Sequence, residues 1–125
     1  MNIIISNTSE LPIYEQITGQ IKDLIIKGEL MEAELLPSIR NLAKELQISV
    51  ITTKRAYEEL EKDGFIVSVP GKGSYVAAQN KELLKESRIR IVEEKLEEAV
   101  NAAKSIDLSQ DELIEMMKLF YEEEV

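Results

Sequence analysis

Four cations in this chain stand out by their company: Arg40, Lys54, Arg55 and Lys72 sit among Ser38, Ser49, Thr52, Gly71 and Gly73. Guanidinium and ammonium groups beside hydroxyls and glycine backbone suit the binding of phosphate oxygens and base edges. Other chemistry is scarce. The chain has no cysteine and no histidine, which excludes disulfides, thiolate and imidazole metal ligation, and every nucleophile that relies on a histidine base. Carboxylates are abundant, but Glu58, Glu59, Glu61 and Asp63 are nearly consecutive. On a helix such residues point in different directions and make no fixed ligand cluster. Glu93, Glu94, Glu97, Glu98 and Glu122 to Glu124 read likewise as a solvated face. The expectation is no metal, no cofactor and no enzymatic activity.

The charge balance sharpens that reading. Net charge is −9, which argues against a surface that coats itself on nucleic acid, so any such contact must be local. Residues 1–78 hold eight Lys and Arg against eleven Asp and Glu, and residues 79–125 hold seven against thirteen. Over residues 37–76, where the cations cluster, six basic residues meet five acidic ones. The N-terminal stretch MNIIISNTSELP has no basic segment before its short apolar run, and no segment is apolar over the length of a membrane span. A cytoplasmic protein without membrane association is expected.

The elements that must position these residues follow from periodicity and punctuation. Residues 2–9 read as extended or disordered. Pro12 opens a helix over 12–27 with Tyr14, Ile17, Ile21, Leu24 and Ile25 on one face and Gly28 as its stop. Ser38 caps a short helix over 39–46, whose inner face is Ile39, Leu42, Ala43 and Leu46. Gln47-Ile48 turns the chain, and Ser49 caps a helix over 50–63 closed by Gly64. Its inner stripe is Thr53, Ala56, Tyr57 and Leu60, leaving Ile51, Thr52, Lys54, Arg55 and Glu58 outward. Two capped helices across so short a turn make a helix-turn-helix. Phe65 to Val69 and Ser74 to Ala78 are β-prone, and Pro70-Gly71-Lys72-Gly73 between them is a hairpin turn, hence a wing. From residue 79 onward there is no Gly or Pro. This predicts two helices broken near Ser105 to Ser109, the last capped by Asp107 or Ser109.

The run LPSIRNLAKELQISVITTKRAYEELEKDGFIVSVPGKGSYVA, residues 36–77, resembles the DNA-binding domain of the GntR family of bacterial regulators. The resemblance is carried by Leu36-Pro37-Ser38, Arg40, Leu42-Ala43, Leu46, Ser49, Thr52, Ala56-Tyr57, Leu60, Gly64, Ile66, Gly71, Gly73 and Tyr75-Val76 in order and spacing. With IYEQI at residues 13–17 and a short helical tail, the chain is similar to the YtrA-like branch. That implies a mainly α (α+β) fold: a winged helix-turn-helix over 1–78 and a two-helix dimerisation tail over 79–125. It also implies a sequence-specific transcription regulator, a homodimeric repressor on an inverted-repeat operator of double-stranded DNA, with a transporter operon as its target.

In such a module the N-terminal end of the second helix enters the major groove. The DNA-binding set is therefore Ser38, Arg40, Ser49, Val50, Ile51, Thr52, Lys54, Arg55, Gly71, Lys72 and Gly73. Two uses stay open for Arg40, an ion pair with Glu45 or another surface carboxylate or a contact to DNA, and for Lys54 and Arg55 the alternative to DNA is a solvated face with Glu58, Glu59 and Glu61 nearby. Many family members carry Arg and a small polar residue after the serine, where this chain has Val50-Ile51. For these two the resemblance implies position alone, with apolar contact to thymine methyls as the chemistry open to them.

The tail supplies the dimerisation set. Ile89, Val92, Leu96, Ala99 and Ala103 recur at alternating three- and four-residue spacing, and Leu113, Met117 and Phe120 follow on the last helix. These seams are too apolar to stand in water and need each other and a second chain, or the winged domain of their own. The tail is too short to enclose a ligand cavity in each chain, so an effector at the dimer interface and regulation by abundance both remain open. A winged-helix protein-interaction module without DNA affinity is the alternative reading, motivated by the net acidity and by Val50-Ile51.

Overall fold

The computed structural model describes residues 1–123; Glu124, counted above among the terminal carboxylates, lies outside them. α1 (Ile13–Ile26) forms as its apolar spacing dictates, with Ile17, Ile21 and Ile25 buried. Pro12 stands one residue before it, and its carbonyl accepts the Glu15 and Gln16 N–H groups, each at 3.1 Å. α2 (Ile39–Leu46) begins at Ser38, whose Oγ accepts the Asn41 N–H at 3.1 Å, and buries Leu42 and Ala43. Leu46 and Ile39 pack at its margin. Gln47 then turns the chain in the left-handed region, with φ 57°. That conformation costs a non-glycine residue about 1 kcal/mol or more. It is recovered through the Gln47 and Ile48 N–H groups, which bond the Lys44 and Ala43 carbonyls at 3.3 and 3.0 Å.

α3 (Val50–Lys62) starts at Ser49, whose Oγ accepts the Thr52 N–H at 3.1 Å, and ends on Asp63 and Gly64. Its inner face is Thr53, Ala56, Tyr57 and Leu60, all buried, and the Thr53 hydroxyl donates to the Ser49 carbonyl at 3.1 Å. Ile17, Ile21 and Leu60 are fully enclosed, each burial stabilising the fold by roughly 1.5–3 kcal/mol.

The wing is β1 (Ile66–Val69) antiparallel to β2 (Gly73–Val76), in the register Ile66↔Val76 to Val69↔Gly73. Its tip is a turn over Val69 to Lys72, closed by the Lys72 N–H on the Val69 carbonyl at 2.9 Å. Pro70 precedes Gly71 at φ 75°, the pairing that a type II turn requires. The hairpin has a third partner: Leu35 bridges Tyr75, with the Leu36 N–H on the Ser74 carbonyl and the Val76 N–H on the Glu34 carbonyl, both at 2.9 Å. Gly73 allows this approach, since a Cβ there would stand 3.2 Å from Leu35 Cδ1.

The amino terminus is extended but not loose. Ile3 is buried in the core. Gln20 clasps the Ile4 backbone, accepting its N–H at 2.9 Å and donating to its carbonyl at 2.7 Å, while Gln16 accepts the Ser6 N–H at 2.8 Å. Of the expected stretch 2–9, residues 2–6 are held along α1 by these contacts, while Asn7 and Thr8 form a bend.

The chain divides into two units, Met1–Lys85 and Glu86–Val125. α4 (Lys81–Ser105) is capped by Asn80, whose Oδ1 accepts the Leu83 N–H at 3.1 Å. Within the second unit, α4 ends where the Ala103 carbonyl accepts both the Ile106 and Leu108 N–H groups, with Asp107 left-handed at φ 56°. α5 (Gln110–Glu122) is capped by Ser109 in a reciprocal box with Glu112, so of the two expected caps Ser109 serves and Asp107 makes the turn. Among the described residues no helix is long and apolar enough to cross a membrane.

Lys22 on α1 ties down the end of α3. Its Nζ lies 2.8 Å from Asp63 Oδ2 and 5.3 Å from the centre of the Phe65 ring. The hydrogen bond and charge of Lys22 hold the Asp63 carboxyl below its ordinary value. A depressed carboxylate contributes stability above its unfolded value and loses that contribution as pH falls through the folded one. In Lys22→Ala, a carboxyl-carbon NMR titration is expected to show the Asp63 midpoint returning upward to the ordinary aspartate range; an unmoved midpoint would assign the shift to another cause.

Candidate nucleic-acid interface

The first turn of α3 is open to solvent. Ile51 is 81% exposed and Val50 48%, while Thr52 is half-buried. The hydroxyls of Ser49 and Thr52 lie 2.7 Å apart and bond each other, so both belong to the cap. The end of the helix presents backbone N–H groups and the positive pole of its dipole outward, an arrangement suited to a phosphate.

The cations differ in how they are held. Arg40 is exposed on α2 and makes no ion pair with Glu45 among the described residues. Lys54 Nζ lies 3.9 Å from Glu58 Oε1, one turn on, with both side chains mostly in water. Such a pair is worth little and releases easily. Arg55 is anchored differently: its guanidinium carbon sits 3.8 Å from the centre of the Tyr14 ring on α1. Stacking on an aromatic face fixes a guanidinium plane. The Tyr14 hydroxyl donates to Glu15 Oε1 at 3.1 Å, and this bond, followed by burial, raises its pKa. Sequence reasoning places Tyr14 only in the apolar stripe of α1. No local signal pairs it with Arg55, because the two meet through the packing of α1 on α3.

In the wing, Lys72 is exposed between Gly71 and Gly73 at the hairpin tip. Gly71 and Gly73 both take left-handed φ, 75° and 124°, and a Cβ on Gly73 would also crowd the Leu35 side chain; the glycines thus serve the turn and the Leu35 bridge whatever else they do. Ser38, like Ser49, spends its side chain as a helix cap.

α2 and α3 are joined by Tyr57. It is buried, and its hydroxyl donates to the Pro37 carbonyl at 2.7 Å, just before the α2 cap. Burial, with the Glu45 charge second, pushes its ionisation far up, so it stays a donor. Tyr57 is therefore core, as its place on the inner stripe suggests, and also a strut between the two helices.

Residues 13–76 match the family described as bacterial regulatory proteins, gntR family. The chain belongs to that family. Its likeness extends over the tail: it is 34% identical over 93% of its length to the HTH-type transcriptional repressor YtrA of Bacillus subtilis, covering 89% of that protein. It also superposes on a GntR family transcriptional regulator from Listeria monocytogenes with a TM-score of 0.67, at 27% identity, over 91% of this chain and 97% of that one. The winged part is similar to the DNA-binding domain of AraR solved with its operator ORE1 (TM-score 0.52, 26% identity, 62% of this chain and 94% of that one). This gntR-family member is a DNA-binding regulator of transcription, of mainly α winged-helix fold, and the resemblance to the YtrA-like branch holds.

Replacing Tyr57 by Phe removes the bond to Pro37 and leaves that carbonyl without its donor. Stability is expected to fall by about 1–2 kcal/mol, read as a lower urea midpoint with an unchanged m-value. An unaltered midpoint would mean that the strut contributes nothing.

Proposed function

We propose that this regulator acts as a cytoplasmic homodimeric repressor without enzymatic activity, each α3 entering the major groove of one half of an inverted-repeat operator. The observation that carries the reading is a pairing of features: an uncovered α3 N-terminus flanked by exposed cations in Met1–Lys85, and large apolar side chains left in water on α4 and α5. Arg40 and Lys54 are assigned to phosphates, Lys72 to the sugar-phosphate surface beside the wing, and the N–H groups above Ser49 to a phosphate at the helix end. One such module has few cations, and joining two raises the effective concentration of the second module at its half-site.

The dimerisation surface is assigned to the second unit. Ile89, Val92 and Leu96 on α4 and Met117 and Phe120 on α5 are exposed, Phe120 at 76%. α4 and α5 leave between them an apolar groove of about 690 Å³ lined by Leu96, Ala99, Ala103, Leu113, Met117 and Phe120 among others. Ala103 is already buried at the base of that groove and Ala99 and Leu113 are half-buried; these shape its floor, while the exposed residues form its walls. A helix of a second copy fits such a groove, and isologous exchange would cover both at once.

Two measurements test the reading. With DNA from upstream of its own gene, Arg40→Ala combined with Lys54→Ala is expected to weaken binding at least tenfold. The slope of log affinity against log salt should flatten by about 0.9 for each phosphate that the variant no longer neutralises. Unchanged affinity and slope would remove the assigned surface. Sedimentation of the wild type should give twice the chain mass and of Leu96→Glu with Phe120→Glu the single chain mass; a dimer that survives both charges would place the interface elsewhere.

A further inference from the structure

The start of α3 presents a mainly aliphatic surface. Ser49 and Thr52 have their hydroxyls turned on each other at 2.7 Å, with Ser49 also holding the Thr52 N–H. The Arg55 guanidinium carbon lies over the Tyr14 ring, 3.8 Å from its centre. Lys54 is exposed and lies 3.9 Å from Glu58 Oε1; its ammonium is a point charge on a flexible stem that serves a phosphate or a guanine edge. What faces outward in the first turn is aliphatic: Val50 and, above all, Ile51. Neither supports the core, since Thr53, Ala56, Tyr57 and Leu60 form the buried face of α3. On the edges of the major groove the one aliphatic group is the 5-methyl of thymine; every other feature there is a hydrogen-bond donor or acceptor.

We propose that Val50 and Ile51 determine specificity by packing on thymine 5-methyl groups in each half-site. The inference rests on the operator-binding reading and adds the recognised chemistry to it. A bidentate arginine discriminates by hydrogen-bond pattern, whereas these two side chains discriminate by the burial of methyl carbon against Cγ and Cδ atoms. Each residue therefore contributes modestly, and the half-site must offer thymines at neighbouring steps for both to be used. Ile51 reaches further into solvent than Val50, so its methyl partner is expected to be the more stringent position.

The test uses the full-length protein and duplexes that it selects from a random library. One selected duplex is remade with deoxyuridine in place of thymidine, which deletes the methyls and keeps the pairing. Binding of wild type and of Val50→Ala with Ile51→Ala is measured on both duplexes. Both positions are exposed and alanine favours helix, and circular dichroism verifies that the variant is folded. The expected result is thymine enrichment at matching positions of the two half-sites. Wild-type affinity should fall about fourfold for each packed methyl that is deleted, and the double variant should bind the two duplexes equally. Equal wild-type binding to both duplexes overturns the inference while leaving operator binding intact. A uracil penalty that persists undiminished in the double variant also overturns it, by assigning the effect to duplex shape. Enrichment of no sequence at all removes the operator-binding reading, and this inference with it.

Discussion

The packing of α1 across α3 is the constraint on which the rest of the winged unit depends. Ile17 and Ile21 on one helix and Ala56 and Leu60 on the other are wholly enclosed in the same core. A small residue such as Ala56 lets two helix backbones approach closely, and the interdigitated side chains leave little freedom to rotate either helix. With the inner stripe of α3 fixed, its outward stripe is fixed too. Arg55 can stack on Tyr14 only because the two helices are held in this register. Lys22 reaching Asp63 and Phe65 clamps the far end of the same packing. The outward surface at the tip of α3 thus takes its orientation from the residues packed beneath it.

Local punctuation was the readable part of the sequence. Ser38 and Ser49 mark where α2 and α3 begin, Gly64 marks where α3 ends, and Pro70-Gly71 marks the wing turn, because caps and turns depend on the residue at the site and its immediate neighbours. The inner stripe of α3 followed from periodicity alone. Residues joined across the chain were not readable. Ile3 enters the core and Gln16 and Gln20 clasp the strand that delivers it, yet glutamines on a helix read as solvated. Leu35 bridging Tyr75 needed the position of the hairpin. For the interface, the sequence placed Val50 to Arg55 at a helix start correctly, but it assigned Lys54 and Arg55 similar freedom. The structure distinguishes them, one loosely paired with Glu58 and the other anchored on an aromatic ring.

The net charge of −9 and the DNA-binding role are reconciled by where the charges lie and by what does the reading. Capping engages the Ser38 and Ser49 hydroxyls, and Thr52 bonds Ser49, which restrains them as polar readers. That gives α3 a firm start, at the expense of hydrogen-bonding variety at its tip. In the proposed reading, phosphate contacts by a few exposed cations position the module, and shape and aliphatic packing supply the discrimination.

The exposure of Ile51 has a thermal consequence. Burying aliphatic surface lowers the heat capacity of the complex, and near ambient temperature its driving force comes from released water and strengthens on warming. Pairing of charges with phosphates carries no such signature. A helix tipped with valine and isoleucine that reads DNA as proposed separates its energetics into two thermometers. Under the proposed packing of Val50 and Ile51 on methyl groups, the tendency to occupy DNA of any sequence varies little with heat, while the margin by which one sequence is preferred over another widens from cold to warm.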